Sequence, residues 1–375
     1  MYILVDDPTC YGGIQQFSRD LAAVLGKYIR VVLLAYSGTL SELKPCGAEV
    51  IRLNHAERRP WWTRWLLGGA EVYLHPGWRR NLALLADSLQ IRRRLAETMK
   101  DGGILLINAF HAAHLFVPRC VMKRNTVCFV QHSSPAQIYK WRYDFGGFFR
   151  RTKLRMFNEY VDAMVMLSPF ERPEFAKYLD LSGKLVKVIR HRTELPEIVK
   201  APPTRTVMFI GRLSKEKRVD RLLEVAKAAP DFEFNIYGDG PDEALLKKAA
   251  EGLANVCFHG YLNDISMAMA KNSIAMIVSE AEGYPIAGIE CVAHGKPLLV
   301  LNSFPAARDL VADGENGILL NEFSASAFAE ALRAIYADYG HFRENALAAR
   351  NKYDSAVFEH EWKSLIESLA AEEQQ

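Results

Sequence analysis

Short apolar runs rich in β-forming residues alternate with segments of helical periodicity along almost the whole chain, and this alternation constrains the fold more than any other feature. Such a pattern predicts parallel β-sheets flanked by helices, that is, an α/β fold. The strand candidates are Tyr2–Val5, Val31–Ala35, Val50–Leu53, Ile104–Asn108, Thr126–Gln131 and Ala163–Leu167, followed by Thr206–Ile210, Glu233–Tyr237, Val256–His259, Ile274–Val278 and Pro297–Leu301. The helix candidates are Gln15–Leu25, Leu82–Met99, Val219–Ala228, Asp242–Gly252, Asp264–Ala270, Ile286–His294 and a last helical region from Ala325 to Ala370.

The chain of 375 residues is long enough for two domains, each with its own core. The segment from Arg190 to Thr204 contains three prolines and little periodicity, so we interpret it as the interdomain linker. We therefore predict two Rossmann-like domains, residues 1–195 and 196–355, whose parallel sheets face a central cleft. Ligands of such sheets bind at the carboxyl ends of the strands.

The two halves of the sequence carry opposite charge, which the overall net charge of +3 conceals. Residues 1–200 contain 30 Lys and Arg against 18 Asp and Glu, a balance of +12. Residues 201–375 contain 17 against 26, a balance of −9. Such an asymmetry favours a polyanionic or membrane-surface partner for the basic half.

Two stretches of the basic half interleave bases with aromatic residues. One runs over residues 139–153, and the other contains Arg58, Arg59, Trp61, Trp62, Arg64 and Trp65. Trp and Tyr favour the lipid headgroup region and bases are attracted to anionic lipid, so we predict peripheral binding to a membrane surface. Single-stranded nucleic acid is the rival partner. An ordinary solvated surface with half-buried Trp is the alternative that needs no partner.

The sequence indicates neither a leader peptide nor a membrane-spanning segment. Met1 is followed at once by the strand candidate Tyr2–Val5, and no window of about 18 apolar residues occurs. The six cysteines form no CxxC pair, so zinc-ribbon and thioredoxin-like sites have no support. We expect a cytoplasmic protein with reduced thiols, peripheral on the cytoplasmic face of the membrane.

The loop from Gly211 to Lys217 directly follows the strand candidate Thr206–Ile210, at the end where ligands bind. Arg212 and Lys217 flank this loop, which leads into a helix. Two cations beside a helix N-terminus are suited to a diphosphate, because the cations and the helix dipole act together. A surface loop with solvated bases is the alternative.

A second loop follows the strand candidate Ile274–Val278 and contains Glu282, while Glu290 lies in the next helix among apolar neighbours. A buried carboxylate requires hydrogen-bond donors, and the hydroxyls of a sugar or ribose would supply them. Gly283 permits close approach of the backbone to a ligand, and the helix start offers free N–H groups to an anion. Two surface glutamates are the alternative.

Glu282 and Glu290 show the E-x7-E spacing of retaining glycosyltransferases with the GT-B fold, and the run SEAEGYPIAGIECVAHGKPLLV resembles the signature of the family-4, or group 1, enzymes. Other stretches resemble the same family in the expected order: GGIQQFSRDLA, GRLSKEK, YGDGPDEALLKKAA and DGENGILL. The similarity spans most of the chain and is strongest over residues 205–320.

The resemblance implies a role for each matching residue. Arg212 and Lys217 would bind the donor diphosphate, Glu290 the ribose hydroxyls and Glu282 the donor sugar. His132, in the run CFVQH, matches a position that faces the sugar near the reacting carbon. The backbone of the two glycine-rich loops would lie beside the donor, through Gly12, Gly13, Gly283, Tyr284, Pro285 and Ile286. The resemblance also implies that the last helix, within residues 356–375, packs back on the first domain.

Two stretches depart from the family pattern. The family often has Gly-Gly-x-x-Glu before the D-G-x-N-G motif, whereas this chain has FPAARD, so that Asp309 takes the place of the Glu. The family linker often begins with P-N-G or P-H-G, whereas this chain reads RHRT from Arg190 to Thr193.

These observations predict a retaining glycosyltransferase that moves a hexose from a nucleotide-diphosphate sugar to a glycan hydroxyl. UDP is the commoner nucleotide in such enzymes, and a membrane-associated acceptor of lipopolysaccharide, capsule or other surface polysaccharide suits the basic half. We assign catalysis to His132, Glu282, Arg212 and Lys217. The resemblance implies a front-side substitution without metal or cofactor, and we expect no nucleic-acid partner. The alternatives are a GT-B nucleotide-sugar 2-epimerase and a catalytically inactive GT-B scaffold subunit.

Overall fold

The computed structural model describes residues 1–5, 13–36, 48–53, 88, 90–108, 117–132, 148–198 and 202–372, without the side chains of residues 148–153 and 372. Within these residues the chain forms two parallel β-sheets. The first has seven strands in the order β3-β2-β1-β4-β5-β6-β7. Their bounds are β1 Tyr2–Val5, β2 Val32–Ala35, β3 Glu49–Arg52, β4 Ile104–Ile107, β5 Thr126–Val130, β6 Ala163–Met166 and β7 Leu185–Val188.

The second sheet has six strands in the order β10-β9-β8-β11-β12-β13. Their bounds are β8 Thr206–Ile210, β9 Glu233–Tyr237, β10 Val256–Gly260, β11 Ile274–Ile277, β12 Leu298–Leu301 and β13 Gly317–Leu320. In each sheet the strand order reverses once, between β1 and β4 and between β8 and β11. Open sheets of this kind bind ligands in the crevice outside the carboxyl ends of the strands at that reversal.

Each sheet is covered on both faces, which explains why its strands are apolar throughout. In β1, Leu4 joins the core on one face, whereas its neighbours Ile3 and Val5 join the core on the other. In β8 the same alternation sends Val207 and Phe209 one way and Met208 the other. Two Rossmann-like α/β domains, as predicted, are therefore observed.

Helices lie in most of the described connections between the strands, and residues 90–98 are also helical. The helices with defined bounds are Gly13–Leu25, Arg119–Arg124, Phe148–Tyr160, Arg172–Ala176, Val219–Ala228, Glu243–Ala249, Ser266–Lys271, Ile286–Ala293, Ala307–Leu310, Ala325–Ala337, Tyr339–Ala349 and Ser355–Glu372. The last of these packs on the first sheet, because Phe358, Trp362 and Leu365 share a core with Ile3 and Val5 of β1. The chain thus returns to the first domain, although the domain limits at residues 195 and 355 stay predictions.

The structure differs from the sequence predictions mainly at sheet edges. Strands β7 and β13 were not predicted, and both lie at an edge where the burial is incomplete. In β7 the sequence LVKV includes the exposed Lys187, so the run lacks the continuous apolar character of a central strand. The predicted region from Ala325 to Ala370 is three helices, separated at Asp338 and at residues 350–354. Among the described residues, no helix is both long and apolar enough to span a membrane.

Candidate active site

The loop after β8 is fixed by backbone contact with the turn after β9. Leu213 N–H donates to the Asp239 carbonyl at 2.7 Å. Gly238 and Gly240 adopt φ values of 130° and 157°, which L-residues rarely adopt. A Cβ atom at Gly238 would lie 1.9 Å from the Gly211 carbonyl oxygen, and one at Gly240 would lie 2.3 Å from the Leu213 carbonyl oxygen. The G-D-G-P sequence therefore lets the turn support the loop that bears Arg212.

Lys217 and Glu282 bring the two predicted loops together. Lys217 Nζ lies 2.5 Å from Glu282 Oε1, and the same oxygen accepts a hydrogen bond from Ser279 Oγ at 2.7 Å. The two charged side chains are 23% and 11% exposed, so they are partly desolvated but still open to the cleft. Glu280 N–H also donates to the Glu216 carbonyl at 2.8 Å, which joins the loops through the main chain. A cation and a carboxylate thus meet at the carboxyl ends of β8 and β11.

A cavity of about 340 Å³ lies at these strand ends, a volume typical of small-molecule sites. Its polar walls include Lys217, Ser279 and Glu282, and residues 284–288 line another side. Gly13 reaches the cavity from the first domain, and a Cβ atom there would lie 3.2 Å from Ile286 Cδ1. Gly283 lies half-buried in the bend between Glu282 and Tyr284.

Arg212 lies at the rim rather than inside this cavity. Its side chain is exposed and makes no hydrogen bond to any of the described residues. The pKa of the neighbouring Glu216 is lowered chiefly by a hydrogen bond from Ser214, and the charge of Arg212 adds a smaller effect. A guanidinium with its donors unoccupied is suited to bidentate contact with a phosphate.

Glu290 faces a second cavity, of about 470 Å³, between the two domains. Within the described part of the chain its carboxyl group has no hydrogen-bond partner, and burial raises its pKa to about 7. The other walls come from both domains, namely Gln16, Phe17, Asp20, residues 191–194, Tyr261, Asn263, Ile286 and Phe358. Hydroxyl groups that donate to Glu290 would favour its ionised form and satisfy it.

His132 lines neither of these cavities and lies behind the residues that do. Its Nε2 lies 3.0 Å from Asn108 Oδ1, and Asn108 Nδ2 in turn donates to Ser18 Oγ at 3.0 Å. Because the amide donates to Ser18, its oxygen must accept, so His132 Nε2 carries the proton. Burial lowers the pKa of His132 well below the usual imidazole range, and the nearby His191 adds to this. The ring is therefore neutral, and among the described residues its buried Nδ1 has no partner.

Several predicted residues lie outside the described part of the chain. These are Gly12 and all six residues of the first basic-aromatic stretch, Arg58, Arg59, Trp61, Trp62, Arg64 and Trp65. Their roles stay predictions. Over the ranges that the structure describes, no group of three or more His, Cys, Asp or Glu is arranged to hold a metal ion.

Some residues of the site were not singled out by sequence reasoning. Ser279 shares the carboxylate oxygen of Glu282, and its position directly after β11 was the available signal. Asp20 and His191 line the cavity of Glu290, and His191 stacks on His132 with ring centroids 5.4 Å apart. The two departures from the family pattern also contact each other, since Arg190 forms two hydrogen bonds to Asp309.

Comparison of the folded chain with solved structures finds HepE from Anabaena, in complex with UDP and glucose, with a TM-score of 0.75. The two are 16% identical, and the match covers 98% of this chain and 99% of that one. This is the GT-B fold. The structural match extends over both domains, so it includes both sheets and the cleft between them.

Sequence comparison points to the same kind of protein. The family model described as glycosyl transferases group 1 matches residues 191–353, which cover the second sheet of the GT-B fold. An uncharacterized glycosyltransferase of Haemophilus influenzae is 24% identical over 310 residues, 76% of this chain and 82% of that protein. The O-antigen biosynthesis glycosyltransferase WbnH of Escherichia coli is 27% identical over 183 residues, 49% of this chain and 53% of its own length. These matches support a transferase of the glycosyltransferase superfamily.

Proposed function

We propose that this protein is a retaining glycosyltransferase that transfers a hexose from a nucleotide-diphosphate sugar, with UDP as the nucleotide, to a hydroxyl group of a glycan. The observation that supports this most directly is the contact of Lys217 with Glu282 at 2.5 Å in the cavity at the ends of β8 and β11. A cation there suits the diphosphate, and a carboxylate there suits sugar hydroxyls. HepE, which shares the fold, was crystallised with UDP and glucose.

Each of the four charged residues predicted for the cleft has a task in this proposal. Lys217 and Arg212 neutralise the charge that develops on the leaving diphosphate, which is the main electrostatic demand of the reaction. Glu282 accepts hydrogen bonds from the sugar, and the backbone of residues 283–286 lies beside it. Glu290, in the adjoining cavity, accepts hydrogen bonds from the ribose. No metal ion and no cofactor has a task.

The reaction itself is proposed as a front-side substitution. The bond between the anomeric carbon and the diphosphate oxygen breaks, and a bond from the acceptor oxygen to the same face of that carbon forms. The acceptor proton passes to the departing diphosphate oxygen, so charge and atoms balance. His132 is a poor proton acceptor because its pKa is lowered, so its part is to orient the sugar or the acceptor by hydrogen bonding.

The acceptor is proposed to be a glycan of a bacterial surface polysaccharide that is attached to a membrane lipid. The relative WbnH is an O-antigen biosynthesis enzyme by its name, and residues 1–200 have a charge balance of +12. An acidic or membrane-bound acceptor would therefore meet the basic first domain. Peripheral attachment on the cytoplasmic face of the membrane is part of the same proposal.

Product analysis with UDP-glucose, UDP-galactose and UDP-N-acetylglucosamine tests the function. We expect release of UDP together with a retained α-linkage in the product, or slow hydrolysis when acceptor is absent, and EDTA should not reduce either. An altered nucleotide sugar without UDP release would indicate epimerisation instead. Binding of a nucleotide sugar without any turnover, with all lipid-linked acceptors tried, would favour the scaffold alternative.

Co-sedimentation with vesicles tests the membrane part separately. The wild-type chain should sediment with vesicles that contain phosphatidylglycerol and remain in solution with phosphatidylcholine alone. Simultaneous replacement of Arg58, Arg59, Trp61 and Trp62 by Ala should weaken that sedimentation and leave hydrolysis of a free nucleotide sugar unchanged. Equal sedimentation of the variant would contradict the assignment of this stretch.

A further inference from the structure

Arg190 and Asp309 lie on different domains and form a partly buried, bidentate ion pair. Arg190 Nε donates to Asp309 Oδ2 at 2.7 Å, and Arg190 Nη2 donates to Asp309 Oδ1 at 2.9 Å. The side chains are 21% and 8% exposed. Such bidentate pairs are stronger and more directional than single contacts, and they are weakly screened by salt when they are buried. The pair therefore fixes a distance and an angle between the two domains.

Tyr284 connects this ion pair to the loop of residues 278–285 between β11 and the helix Ile286–Ala293, which we call the donor loop. Its hydroxyl donates to Asp309 Oδ2 at 2.9 Å and lies 2.6 Å from the hydroxyl of Tyr353. Because Tyr284 donates to the carboxylate, Tyr353 must donate to Tyr284. Tyr284 follows Glu282 by two residues and lines the cavity that holds Lys217 and Glu282. Asp309 thus holds the hydroxyl of Tyr284, whereas the backbone of Tyr284 is part of the donor loop.

One further cationic group, from Lys352, and one further carboxyl group, from Glu171, lie near Asp309. Lys352 donates to the Asp309 carbonyl oxygen, and its Nζ lies 3.9 Å from Asp309 Oδ1. Glu171, from the first domain, lies on a short turn that contacts the helix Ala307–Leu310. Burial raises the pKa of Glu171 to about 8, and the charge of Asp309 adds to the effect. Glu171 is therefore mostly neutral at pH 7, and Asp309 is the carboxylate that Arg190 neutralises.

The same cluster joins the two places where the chain crosses between the domains. Arg190 begins the first crossing, after β7, and Lys352 and Tyr353 lie on the second, before the last helix. The crossings are hydrogen-bonded to each other, since Thr193 N–H donates to the Tyr353 carbonyl at 2.9 Å. A shift of one domain against the other would therefore act on Asp309, and through it on Tyr284.

We propose that Arg190 and Asp309 are positioning residues, whose ion pair holds Tyr284 and thereby sets the donor loop to match the closure of the two domains. The ligand in question is the nucleotide-diphosphate sugar of the proposed function, on which this inference rests. Neither residue lines the cavity that holds Lys217 and Glu282. The pair acts on the loop only through the hydroxyl of Tyr284.

Two nearly isosteric substitutions test this role, Tyr284→Phe and Asp309→Asn, together with the double variant. We expect the KM for the nucleotide sugar to rise about tenfold in each single variant, because a loop anchored by a hydrogen bond to a charged group loses that anchor. The double variant should resemble Asp309→Asn alone, because the two side chains act through one contact. Additive effects would contradict the transmission through Tyr284.

Asp231→Asn is the matched control. Asp231 is also an acidic residue with two arginine partners, Arg205 and Arg333, but it precedes β9, at the end of the strands opposite the cleft. Asp231→Asn should lower the melting temperature without a change of KM. If Asp309→Asn behaves in the same way, the pair is merely structural and the proposal is wrong.

Hydrogen–deuterium exchange of the free protein separates this inference from the proposed function. In Asp309→Asn, peptides that contain residues 280–290, 188–195 and 350–355 should exchange at least fivefold faster than in wild type. A peptide from the helix Glu243–Ala249 should be unchanged. Failure of every nucleotide sugar to bind the wild type would overturn the proposed function alone, and unchanged exchange in the donor loop would overturn the positioning role alone.

Discussion

The carboxyl ends of the two sheets present different chemistry to the cleft. In the second domain, Lys217 and Glu282 form a charged pair, and the Glu290 carboxyl group has no hydrogen-bond partner among the described residues. In the first domain, the polar groups that follow β4 and β5 form a neutral chain in which His132 donates to Asn108 and Asn108 donates to Ser18. Ser18 ends the chain by donating to the Ile14 carbonyl at 2.8 Å.

This difference teaches what each face is built to do. Charged groups that are half-buried can exchange their protein partners for a charged ligand, so the second domain is suited to bind and stabilise a diphosphate. In a chain of neutral hydrogen bonds, each group donates to the next, and this fixes the positions of the side chains without adding charge. Substitutions on the charged face should therefore reduce binding or turnover, and those on the neutral face should mainly reduce stability.

Lys217→Ala should have the largest effect. It removes the cation that faces the leaving diphosphate in the proposed function, and we expect kcat/KM for sugar transfer to fall roughly 100- to 1000-fold. Steady-state UDP release measures this, with circular dichroism as a check that the variant is folded. Lys247→Ala is the control, because Lys247 pairs with Glu243 at 2.7 Å on the surface of the same domain. Comparable loss in both variants would contradict the assignment.

Glu282→Gln should have the next largest effect. Gln retains an acceptor for Ser279 Oγ but loses the charge that contacts Lys217, and we expect kcat/KM to fall roughly 10- to 100-fold through weaker sugar binding. Glu280→Gln changes an exposed glutamate two residues away, whose partner Arg218 lies at 3.7 Å, and should leave the rate unchanged. Wild-type kinetics in Glu282→Gln would remove Glu282 from the site.

Glu290 should make donor binding depend on pH. Its pKa in the free protein is raised to about 7 by burial, whereas ribose hydroxyls would bind the ionised form. Affinity for UDP-glucose should therefore rise about tenfold between pH 6 and pH 8, by linkage of one proton. Calorimetric titration in two buffers measures both the affinity and the proton released. Glu290→Gln should show weaker binding and no pH dependence, and an unchanged slope would exclude this carboxyl group as its source.

The same raised pKa predicts an opposite trend in stability without ligand. A carboxyl group whose folded pKa lies above its unfolded value of 4.5 contributes stability at low pH, and this is lost as the pH rises through about 7. Urea unfolding should therefore show wild type losing stability relative to Glu290→Gln between pH 5 and pH 8. A constant difference across this range would contradict the raised pKa.

Asn108→Ala should have the smallest effect on turnover. It leaves the Nε2–H group of His132 without its acceptor in a buried place, which we expect to lower the free energy of unfolding by about 1–3 kcal/mol. Sugar transfer should fall tenfold or less, since His132 in the proposed function orients a substrate by hydrogen bonding and does not take a proton. Asn302→Ala, which loses an exposed contact to Asn321 at 2.8 Å, is the control. A loss of turnover as large as that of Lys217→Ala would contradict the expectation that the neutral face contributes less to turnover than the charged face.

The sequence was informative where one segment contains the whole signal. Central strands such as β8 and β11 are continuous apolar runs, and the loops that follow them bear Lys217 and Glu282, so both the fold and the charged face could be predicted. The GT-B fold is confirmed by the match to HepE over 98% of this chain. Edge strands such as β7 lack this pattern because only part of their surface is buried.

Contacts between distant segments could not be predicted in the same way. Arg190 and Asp309 are 119 residues apart, and each separately looks like a departure from a family motif. Only the folded chain shows that the two changes are partners. His132 is similar, because the layer of Phe17 and His191 against it arises from two other segments.

The return of the last helix to the first domain has a mechanical consequence. The polypeptide passes between the domains twice, and the passages run side by side, joined by Thr193 to Tyr353 and by Arg192 Nη1 to Ser355 Oγ at 3.0 Å. Two adjacent interdomain segments form a hinge that is more constrained than a single linker. We expect them to permit rotation about one axis and to resist twist and separation of the domains. We expect opening of the cleft to be mainly a rotation about this double crossing, which would return the rims of the two sheets to the same register on closure.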